Sequence, residues 1–554
     1  MDITDHLADL RARQETRRPT DTPRTVTYPV GEITIPEHVS HWAATIPDRV
    51  AICHEERELS YLDLDDAHRR VAGWLHDAGV RVGDRVGVHL GNGPEFVIAF
   101  LAVLRLGAVH VPINPMFRPG ELTHEIQDSG ARVIVTAAAW QDVVAAAWND
   151  IAVEHVILVG GAEPAVGLPV THWETVIAHE PQDDCQIDLD ALAALNYTGG
   201  TTGLPKGCMH TQRHMLYTAA TGTGASGMHS GDTYVTVCFL PIFWIGGEDL
   251  GILFPFVLGG TVVLMARWNA TAVLAAIDRY RATTMVGTAE NYLELLDHLD
   301  LHRYDLTSLR DPQVVSFVGK LTPQLRHRWA KAVGGGVLRE CAYGMTETHT
   351  MDALPYGLAD GDEDLLAEPT FCGIPVPGTD IAVVSFENGK PVPIGEVGEI
   401  VVRSPSVMTG YWRNAQATSE QLIDGWLHTG DYGRLDESGF LHYLGRAKEM
   451  IKVKGMSVFP AEVELILARH ADITAVAVVP VEDPEAGQRP LAFVTVEPGS
   501  STGPEDIQSW ARTQMSTYKV PVVKIIDAFP MTPSGKIKKN VLEQEVKSPT
   551  EIHH

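Results

Sequence analysis

The sequence predicts an α/β fold with a large N-terminal α/β domain whose sheets are covered by helices, a β-rich subdomain, and a small mobile α+β C-terminal domain. The chain has 554 residues, more than one hydrophobic core usually organises. Val- and Ile-rich runs alternate with helical stretches over roughly the first 440 residues, as in βαβ units. Short strands and turns follow Gly398, and a compact final stretch begins near Lys448. We therefore predict domains over residues 1–447 and 448–554.

The individual elements follow from residue type and periodicity. Buried strands are predicted over 85–90, 131–136, 155–159 and 191–195, and helices over 94–106 and 271–281. In the later part of the chain we predict strands over 399–403, 474–480 and 491–496, and helices over 461–469 and 504–515. The elements after 448 suffice for a small α+β domain.

Composition and charge exclude some classes of partner. Hydrophobic residues make up 45% of the chain and charged residues 21%, as in ordinary folded proteins. The formal net charge of -28, without a basic block, argues against nucleic acid as a partner. An acidic protein that handles phosphates needs local Lys, Arg or backbone N–H groups, so basic residues near Gly-rich loops are informative.

The cysteines and the N-terminus indicate a cytoplasmic protein. Six cysteines form no CxxC pair and no zinc-type spacing, and the chain start has no apolar signal region, so we expect reduced thiols. The uncharged stretch 250–266 is interrupted by Pro255 and by Gly259-Gly260. We therefore predict a helix end, a turn and a strand there, and no transmembrane segment.

The most informative segment is Tyr197-Thr-Gly-Gly-Thr-Thr-Gly-Leu-Pro-Lys-Gly207, which follows an apolar strand. Its glycines allow close approach of the backbone to a ligand, its Thr hydroxyls are donors, and Lys206 supplies a positive charge. Pro205 precedes the lysine and Gly207 follows it, so the segment is not a Walker A loop. Taken alone, it could equally be a Gly/Thr surface loop with a solvated lysine.

Later motifs occur in a fixed order and carry a family resemblance. They are Tyr343-Gly-Met-Thr-Glu-Thr348, Thr429-Gly-Asp431, Gly445-Arg446-Ala-Lys448, Lys452-Val-Lys-Gly455 and Pro533-Ser-Gly-Lys-Ile537. Together with the Gly-rich loop they resemble the adenylate-forming superfamily, which comprises acyl-CoA synthetases, luciferases and the adenylation domains of peptide synthetases. The resemblance covers roughly residues 40 to 540 and is strongest toward AMP-dependent acid:CoA ligases.

The resemblance implies a site for ATP and AMP. In it Tyr343 lies against adenine, Thr346 contacts the α-phosphate, and Asp431 and Arg446 bind the ribose. Glu347 is the implied Mg²⁺ ligand, in keeping with the preference of that cation for oxygen. The full implied set is Thr198, Gly199, Gly200, Thr201, Thr202, Gly203, Lys206, Tyr343, Gly344, Met345, Thr346, Asp431 and Arg446.

The resemblance also implies catalytic and hinge residues. The implied catalytic residues are Lys536, Thr346, Glu347 and Lys206, with Lys536 presenting a cation to the charge that develops at the α-phosphorus. Lys448 matches the hinge between the two domains, and Lys454 and Gly455 match a loop that forms the tunnel for CoA. We expect Lys538 and Lys539, beside Lys536, to be solvated.

The acyl pocket is expected around Trp244, Gly319 and Gly344. Trp244 stands where many acyl-CoA synthetases have His and amino-acid-activating domains have Asp, so we read it as an apolar wall or gate; Glu248 and Asp249 follow and could reverse that reading. Residues Phe317, Val318, Gly319 and Lys320 replace the family's usual Gly-Gly-Ala-Pro, and Lys320 is either substrate-facing or solvated. Gly344 occupies the place of a pocket-closing Trp in acetyl-CoA synthetases, which implies a medium or larger acid.

The sequence thus predicts an ATP-dependent acid:CoA ligase that forms an acyl-AMP and then an acyl-CoA thioester. The acid is expected to be a medium or larger fatty, branched or aryl carboxylic acid, with ATP, Mg²⁺ and CoA as cofactor and co-substrates. Alternatives are an adenylate-forming enzyme that loads a separate carrier protein or other acceptor, and a non-catalytic nucleotide or acyl sensor. Neither GxSxG nor HExxH occurs, which argues against common hydrolases. Homodimers are common in the family, but no interface signal is found.

Overall fold

Two seven-stranded sheets form the body of the N-terminal domain. The computed structural model describes residues 3–182, 187–198, 205–228, 233–316, 318–367, 370–454, 456–484, 486–532 and 535–547. The first sheet runs in the order Arg339–Glu340, Asp311–Val314, Thr284–Gly287, Val235–Cys238, Thr261–Leu264, Val50–His54, Arg57–Ser60. The second runs Val170–His172, His155–Val159, Val133–Ala137, Arg85–His89, Val109–Pro112, Leu192–Thr198, Lys206–Thr211.

Each of these sheets is parallel except for one antiparallel pair at an edge. In the first sheet that pair is Val50–His54 with Arg57–Ser60, and in the second it is Leu192–Thr198 with Lys206–Thr211. The parallel strands are buried on both faces, which explains their continuous Val and Ile runs. The second antiparallel pair carries the Gly-rich loop between its strands.

The largest hydrophobic core lies between the two sheets. It contains Ile52 and Val262 of the first sheet and Val86 and Val135 of the second. The helix Pro94–Arg105 lies in this core, and its residues from 96 to 104 are all buried. Pro94 in its first turn suits a helix start, since that position needs no backbone N–H donor.

Helices cover the sheets, and their ends are set by local capping. Tyr61–Asp77 begins after Ser60, whose hydroxyl and the carboxylate of Asp63 cap each other's backbone N–H groups. Pro323–Val333 begins after Thr322 and ends at Gly334, which has φ 66°. The other N-terminal helices are Ile3–Glu15, Ile35–Thr45, Pro119–Ser129, Gln141–Ala147, Trp173–Ile177, Gln212–Ala225, Ile245–Glu248, Phe254–Leu258, Ala270–Tyr280, Ala289–Asp297, Glu363–Leu366 and Ala415–Gln421.

An antiparallel third sheet and a separate C-terminal unit complete the chain. The third sheet runs Ala353–Leu354, Thr370–Pro375, Leu441–Arg446, Trp426–Leu435, Gly398–Arg403, Asp380–Val384, with Leu422–Ile423 beside the fourth of these. The C-terminal sheet runs Met456–Val458, Ile451–Val453, Gly487–Val496, Ile473–Asp483, with Val522–Ile525 parallel to Gly487–Val496. Its helices are Pro460–Leu467, Pro504–Gln514 and Lys539–Lys547, and it has its own hydrophobic core. The predicted fold class is confirmed.

The uncharged stretch 250–266 has the predicted helix end, turn and strand. A wide helical turn, Asp249–Leu253, continues into Phe254–Leu258 and ends at Gly259, with φ 68°. The strand Thr261–Leu264 follows in the centre of the first sheet. No helix within the described ranges is both long enough and apolar enough to cross a membrane.

Phe100 tests the role of the core between the two sheets. Its side chain is fully buried, so Phe100→Ala leaves a cavity between the sheets and should lower the free energy of unfolding by about 3–5 kcal/mol. Denaturant unfolding followed by tryptophan fluorescence measures this loss. Leu299→Ala is the control, because Leu299 is 92% exposed and its removal should change stability by less than about 0.5 kcal/mol. Equal effects of the two substitutions would contradict this account of the core.

Candidate active site

The stem of the Gly-rich loop is an antiparallel hairpin that fixes Lys206. Thr198 pairs with Lys206 in the strand register, and the hydroxyl of Thr198 is 3.4 Å from the carbonyl oxygen of Lys206. The ammonium of Lys206 lies 3.9 Å from the ring centre of Tyr411, a cation–π contact. The predicted ligands between the strands, Gly199, Gly200, Thr201, Thr202 and Gly203, lie outside the described residues.

The turn Thr346–Thr348 carries two of the predicted site residues beside this hairpin. The imidazole of His210, on the strand that begins with Lys206, is 2.7 Å from the carbonyl oxygen of Thr346. The hydroxyl of Tyr411 donates to Glu347 Oε1 at 2.7 Å. Tyr411 therefore contacts both Lys206 and Glu347. Sequence reasoning missed Tyr411, because it belongs to none of the motifs that carried the resemblance.

Two neighbouring strands of the third sheet bring Asp431 and Arg446 together. These residues are opposite each other in the register, and Arg446 Nε lies 3.5 Å from Asp431 Oδ1. The hydroxyl of Tyr343 donates to Asp431 Oδ2 at 2.9 Å. Burial raises the pKa of Asp431 to about 6, and Arg446 and Tyr343 offset part of that rise. Asp431 Oδ1 is buried and accepts no hydrogen bond from any described residue, so it offers an acceptor for a ligand hydroxyl.

The C-terminal domain brings Lys536 into the same cleft. Lys536 Nζ lies 5.4 Å from the centre of the Trp244 ring, and the backbone N–H of Lys536 donates to the hydroxyl of Thr532 at 2.9 Å. Lys536 reaches solvent, yet its burial within the cleft and the nearby Arg446 lower its pKa. The structure therefore gathers Lys206, Arg446 and Lys536 from three different elements.

The glycines near Trp244 and in the motif that begins at Tyr343 differ in whether the structure has room for a side chain in their place. At Gly344 a Cβ would lie 1.8 Å from the carbonyl oxygen of Thr350, and at Gly247 it would lie 2.0 Å from that of Pro241. Both positions therefore require glycine for close backbone approach. At Gly246, beside Trp244, an added Cβ meets nothing within 4 Å. Gly246, two residues after Trp244, therefore leaves room for a side chain.

The segment at 316–320 is held by local partners. The backbone N–H of Gly319 donates to Glu290 Oε1 at 2.6 Å. The ammonium of Lys320 donates to the carbonyl oxygen of Ser316 at 2.9 Å, so Lys320 points back onto its own turn. Phe317 lies outside the described residues.

The predicted hinge and tunnel residues lie at the start of the C-terminal unit. Lys448 is in the turn Ala447–Glu449, directly after the strand that ends at Arg446. Lys454 has φ 51°, and its backbone N–H donates to the carbonyl oxygen of Ala486 at 2.8 Å. Gly455 lies outside the described residues.

The expectation that Lys539 is solvated is wrong. Its ammonium lies 2.7 Å from Glu464 and 3.5 Å from Glu449, and these carboxylates raise its pKa although burial would lower it. Lys538, by contrast, is exposed as expected.

Comparison with known proteins identifies the family. The model of the AMP-binding enzyme family matches residues 39–412, and the model of the AMP-binding enzyme C-terminal domain matches residues 462–536. The chain belongs to the AMP-binding enzymes. The predicted membership of the adenylate-forming superfamily is thereby confirmed.

Curated relatives and a solved structure agree with this assignment. A feruloyl-CoA synthase of Streptomyces sp. is 34% identical over 89% of this chain and 95% of the relative. A long-chain-fatty-acid–CoA ligase of Bacillus subtilis is 29% identical over 97% of this chain and 98% of the relative. An anthranilate CoA ligase solved with anthranoyl-AMP superposes with TM-score 0.82 at 26% identity, over 95% of this chain and 98% of that one. The predicted class of AMP-forming acid:CoA ligase is confirmed.

The carboxylates in the cleft fit the nucleotide and the cation that this class of enzyme uses. The buried oxygen of Asp431 suits a ribose hydroxyl, and the carboxylate of Glu347 suits Mg²⁺, which prefers hard oxygen ligands. No group of three or more His, Cys, Asp or Glu that could hold a metal is present in the described part of the chain. A bound Mg²⁺ would supply charge neutralisation at the phosphate oxygens.

Asp431 gives a test of the ribose assignment. Asp431→Asn should weaken adenosine binding by roughly 10- to 100-fold, because hydrogen bonds to an ionised acceptor contribute about 1.5–3 kcal/mol. In the wild type, affinity should fall as pH decreases below about 6, where Asp431 becomes protonated, whereas the variant should show no such decline. Calorimetric titration with adenosine, which has no phosphate to titrate, measures both effects.

Denaturant unfolding of Asp431→Asn distinguishes a loss of adenosine binding from a loss of folding. Folding raises the pKa of Asp431 from its ordinary value of 3.8 to about 6, so its ionised form disfavours the folded state above pH about 6, and this cost declines as pH falls from about 6 to 3.8. Asp431→Asn should therefore unfold at no lower denaturant concentration than the wild type at pH 8. Unchanged adenosine affinity in a folded variant would contradict the ribose assignment.

Proposed function

We propose that this protein activates an aryl or aryl-propenoic acid with ATP and transfers the acyl group to CoA. The observation that carries the proposal is the convergence of Lys206, Arg446 and Lys536 beside Trp244 and Asp431. Such a cleft combines cations for phosphates, an acceptor for ribose and an aromatic wall for an apolar acid.

In the first half-reaction, a carboxylate oxygen of the acid attacks the α-phosphorus and pyrophosphate leaves. Lys206 and Lys536 stabilise the negative charge that develops on the phosphate oxygens, and Thr346 donates to the α-phosphate. Glu347 would hold Mg²⁺, and the hydroxyl of Tyr411 orients its carboxylate. In the second half-reaction, the sulfur of CoA attacks the acyl carbonyl, AMP leaves, and the acid is released as a thioester.

We infer that the observed arrangement of the two domains is the one used for adenylation. Support comes from the contact between Lys536, in the domain 448–554, and Trp244, in the domain 1–447. Transfer to CoA then requires a swivel at Lys448 that replaces Lys536 with the loop around Lys454 and Gly455. Arg446, next to the swivel, stays with the nucleotide.

An aromatic acid suits the space beside Trp244. The indole ring offers a flat apolar face, and a side chain at Gly246, two residues further on, would meet no neighbour within 4 Å of its Cβ. The feruloyl-CoA synthase is 34% identical to this chain and the long-chain-fatty-acid–CoA ligase is 29% identical, and the anthranilate CoA ligase is a solved structure that superposes with TM-score 0.82. A flat ring therefore fits this chain better than a long alkyl chain.

We also propose a cytoplasmic location. Cys53, Cys208, Cys238, Cys341 and Cys372 are free thiols, and four of them are buried. Burial raises the pKa of Cys208 and Cys238, which keeps these thiols neutral and unreactive. Reduced thiols of this kind are typical of reducing compartments.

Lys536→Ala tests whether the cleft is catalytic. Loss of a preorganised cation at the developing charge should lower ATP–pyrophosphate exchange by roughly 10²–10³-fold, while MgATP still binds. Lys538→Ala is the matched control, since Lys538 is two residues away and exposed. If Lys536→Ala keeps full exchange activity, the proposed role is excluded; a wild type that binds MgATP but never releases pyrophosphate would indicate a sensor.

Pyrophosphate release with a panel of acids tests the substrate and the acceptor together. Short, medium, long-chain, aryl, aryl-propenoic and amino acids are compared, each with and without CoA. We expect the highest kcat/KM with aryl or aryl-propenoic acids and the formation of acyl-CoA. An adenylate that CoA does not discharge would instead favour a carrier protein or another acceptor.

Gly246 tests the shape of the acid site. Gly246→Ala should preserve the fold or stabilise it by about 0.5–1 kcal/mol, because glycine in a helix is unfavourable and a Cβ meets no neighbour here. Gly246→Phe should fill the space beside Trp244 and lower kcat/KM for aryl acids by about tenfold or more, with less effect on short acids. Gly247→Ala is the contrasting control, since it should destabilise the fold. Unchanged acid preference in Gly246→Phe would refute this pocket.

A further inference from the structure

Two consecutive residues after the turn Thr346–Thr348 have left-handed backbone conformations. His349 has φ 55° and Thr350 has φ 73°. Such angles are uncommon for residues other than glycine, and for a β-branched residue such as Thr350 they are a true outlier. Strained backbone of this kind persists only where the surrounding structure holds it.

One buried carboxylate holds both strained residues. The hydroxyl of Thr350 donates to Asp249 Oδ2, and Asp249 Oδ1 lies 3.1 Å from His349 Nδ1 in an ion-pair contact that lacks hydrogen-bond geometry. Asp249 is 2% exposed and His349 is fully buried, so solvent does not compete for these contacts. The two oxygens of Asp249 therefore fix two adjacent residues in the conformation that they would otherwise avoid.

The strained pair closes the loop that carries Thr346 and Glu347. The backbone N–H of His349 donates to the carbonyl oxygen of Thr346 at 3.2 Å, and that of Thr350 donates to the carbonyl oxygen of Met345 at 2.9 Å. The hydroxyl of Thr348 donates to Asp352 at 2.5 Å. The orientation of the side chains of Thr346 and Glu347 thus depends on the backbone conformation at residues 349 and 350.

The buried residues around Asp249 and His349 also connect this loop to two other parts of the cleft. His210 contacts the carbonyl oxygen of Thr346, and its ring lies 4.9 Å from that of His349. Asp249 directly follows Glu248, whose backbone N–H donates to the carbonyl oxygen of Trp244 at 2.9 Å. Through these contacts the loop is tied to the strand of Lys206 and to the segment of Trp244.

We propose that Asp249 is a positioning residue for adenylation: it holds His349 and Thr350 so that Thr346 and Glu347 face the nucleotide and its cation. The inference rests on the proposed roles of Thr346 and Glu347. Asp249 is buried behind the turn and does not reach the cleft, so it acts through these two residues and is not itself catalytic.

A second buried Asp–His pair supplies a matched control. Asp65 Oδ1 lies 3.2 Å from His68 Nε2 and accepts the hydroxyl of Ser40 at 2.5 Å. Asp65 and His68 belong to the helix Tyr61–Asp77, which carries none of the proposed site residues. Asp65→Asn therefore removes a similar buried charge, next to a similar imidazole and hydroxyl, without touching the turn.

Asp249→Asn should lower the kcat of ATP–pyrophosphate exchange by about tenfold or more and raise the Mg²⁺ concentration for half-maximal activity, because a small displacement of catalytic groups is costly. The KM for the acid should stay within about twofold, since the proposed acid pocket is at Trp244 and Gly246 and not at this turn. Asp65→Asn should lower the unfolding midpoint comparably, yet keep exchange within about twofold of wild type. Equal exchange activity in the two variants would overturn the inference.

A glycine substitution tests the strain directly. Glycine adopts positive φ freely, so Thr350→Gly introduced into Asp249→Asn should recover at least about threefold of the lost exchange. A double variant no more active than Asp249→Asn would overturn the strain argument.

Direct measurement of MgATP binding separates this inference from the proposed function. Wild-type protein that shows no exchange with any acid would refute the proposed function. In that case, weaker MgATP binding by Asp249→Asn than by Asp65→Asn would still support the positioning role, and equal MgATP binding would refute it.

Discussion

The cleft depends on three cationic side chains that lie close together in a protein whose net charge is negative. The chain carries a formal net charge of -28, yet Lys206, Arg446 and Lys536 meet at one place. Cations placed so close repel each other, as the effect of Arg446 on the pKa of Lys536 shows. The site tolerates this repulsion because each cation has a partner suited to it: Tyr411 for Lys206, Asp431 for Arg446 and Trp244 for Lys536.

The fold explains how these cations arrive from distant parts of the chain. An antiparallel hairpin at the edge of the second sheet presents Lys206, and two neighbouring strands of the third sheet place Asp431 opposite Arg446. Lys536 comes from the C-terminal unit, whose hydrophobic core is separate from those of the two large sheets. The site is therefore an assembly of rigid elements, and its geometry is set by where those elements end.

Much of this could be predicted from the sequence, because the informative patterns are local. Continuous Val and Ile runs indicated the strands, and the predicted strand 155–159 matches His155–Val159. The motif order also indicated the nucleotide residues, and the structure brings together Tyr343, Asp431 and Arg446.

The residues that sequence reasoning missed are linked across long separations. Tyr411 and Glu347 are 64 positions apart, and Asp249 and Thr350 are 101 apart, so no spacing rule connects them. Asp249 was noted only as a neighbour of Trp244, since nothing in one sequence shows that His349 and Thr350 have positive φ. Lys539 was misjudged for the same reason: a run of lysines usually faces solvent, and its carboxylate partners are distant in sequence.

The ion pairs of Lys539 determine which parts of the C-terminal domain turn as one body. Lys539 begins the last helix and bridges Glu464, in the first helix of that domain, and Glu449, the residue after the proposed hinge. The two ends of the domain are thus braced together directly beside the point of rotation. A change of backbone angle at Lys448 would consequently carry Lys539 along with these two carboxylates, and Lys536 lies only three residues before Lys539.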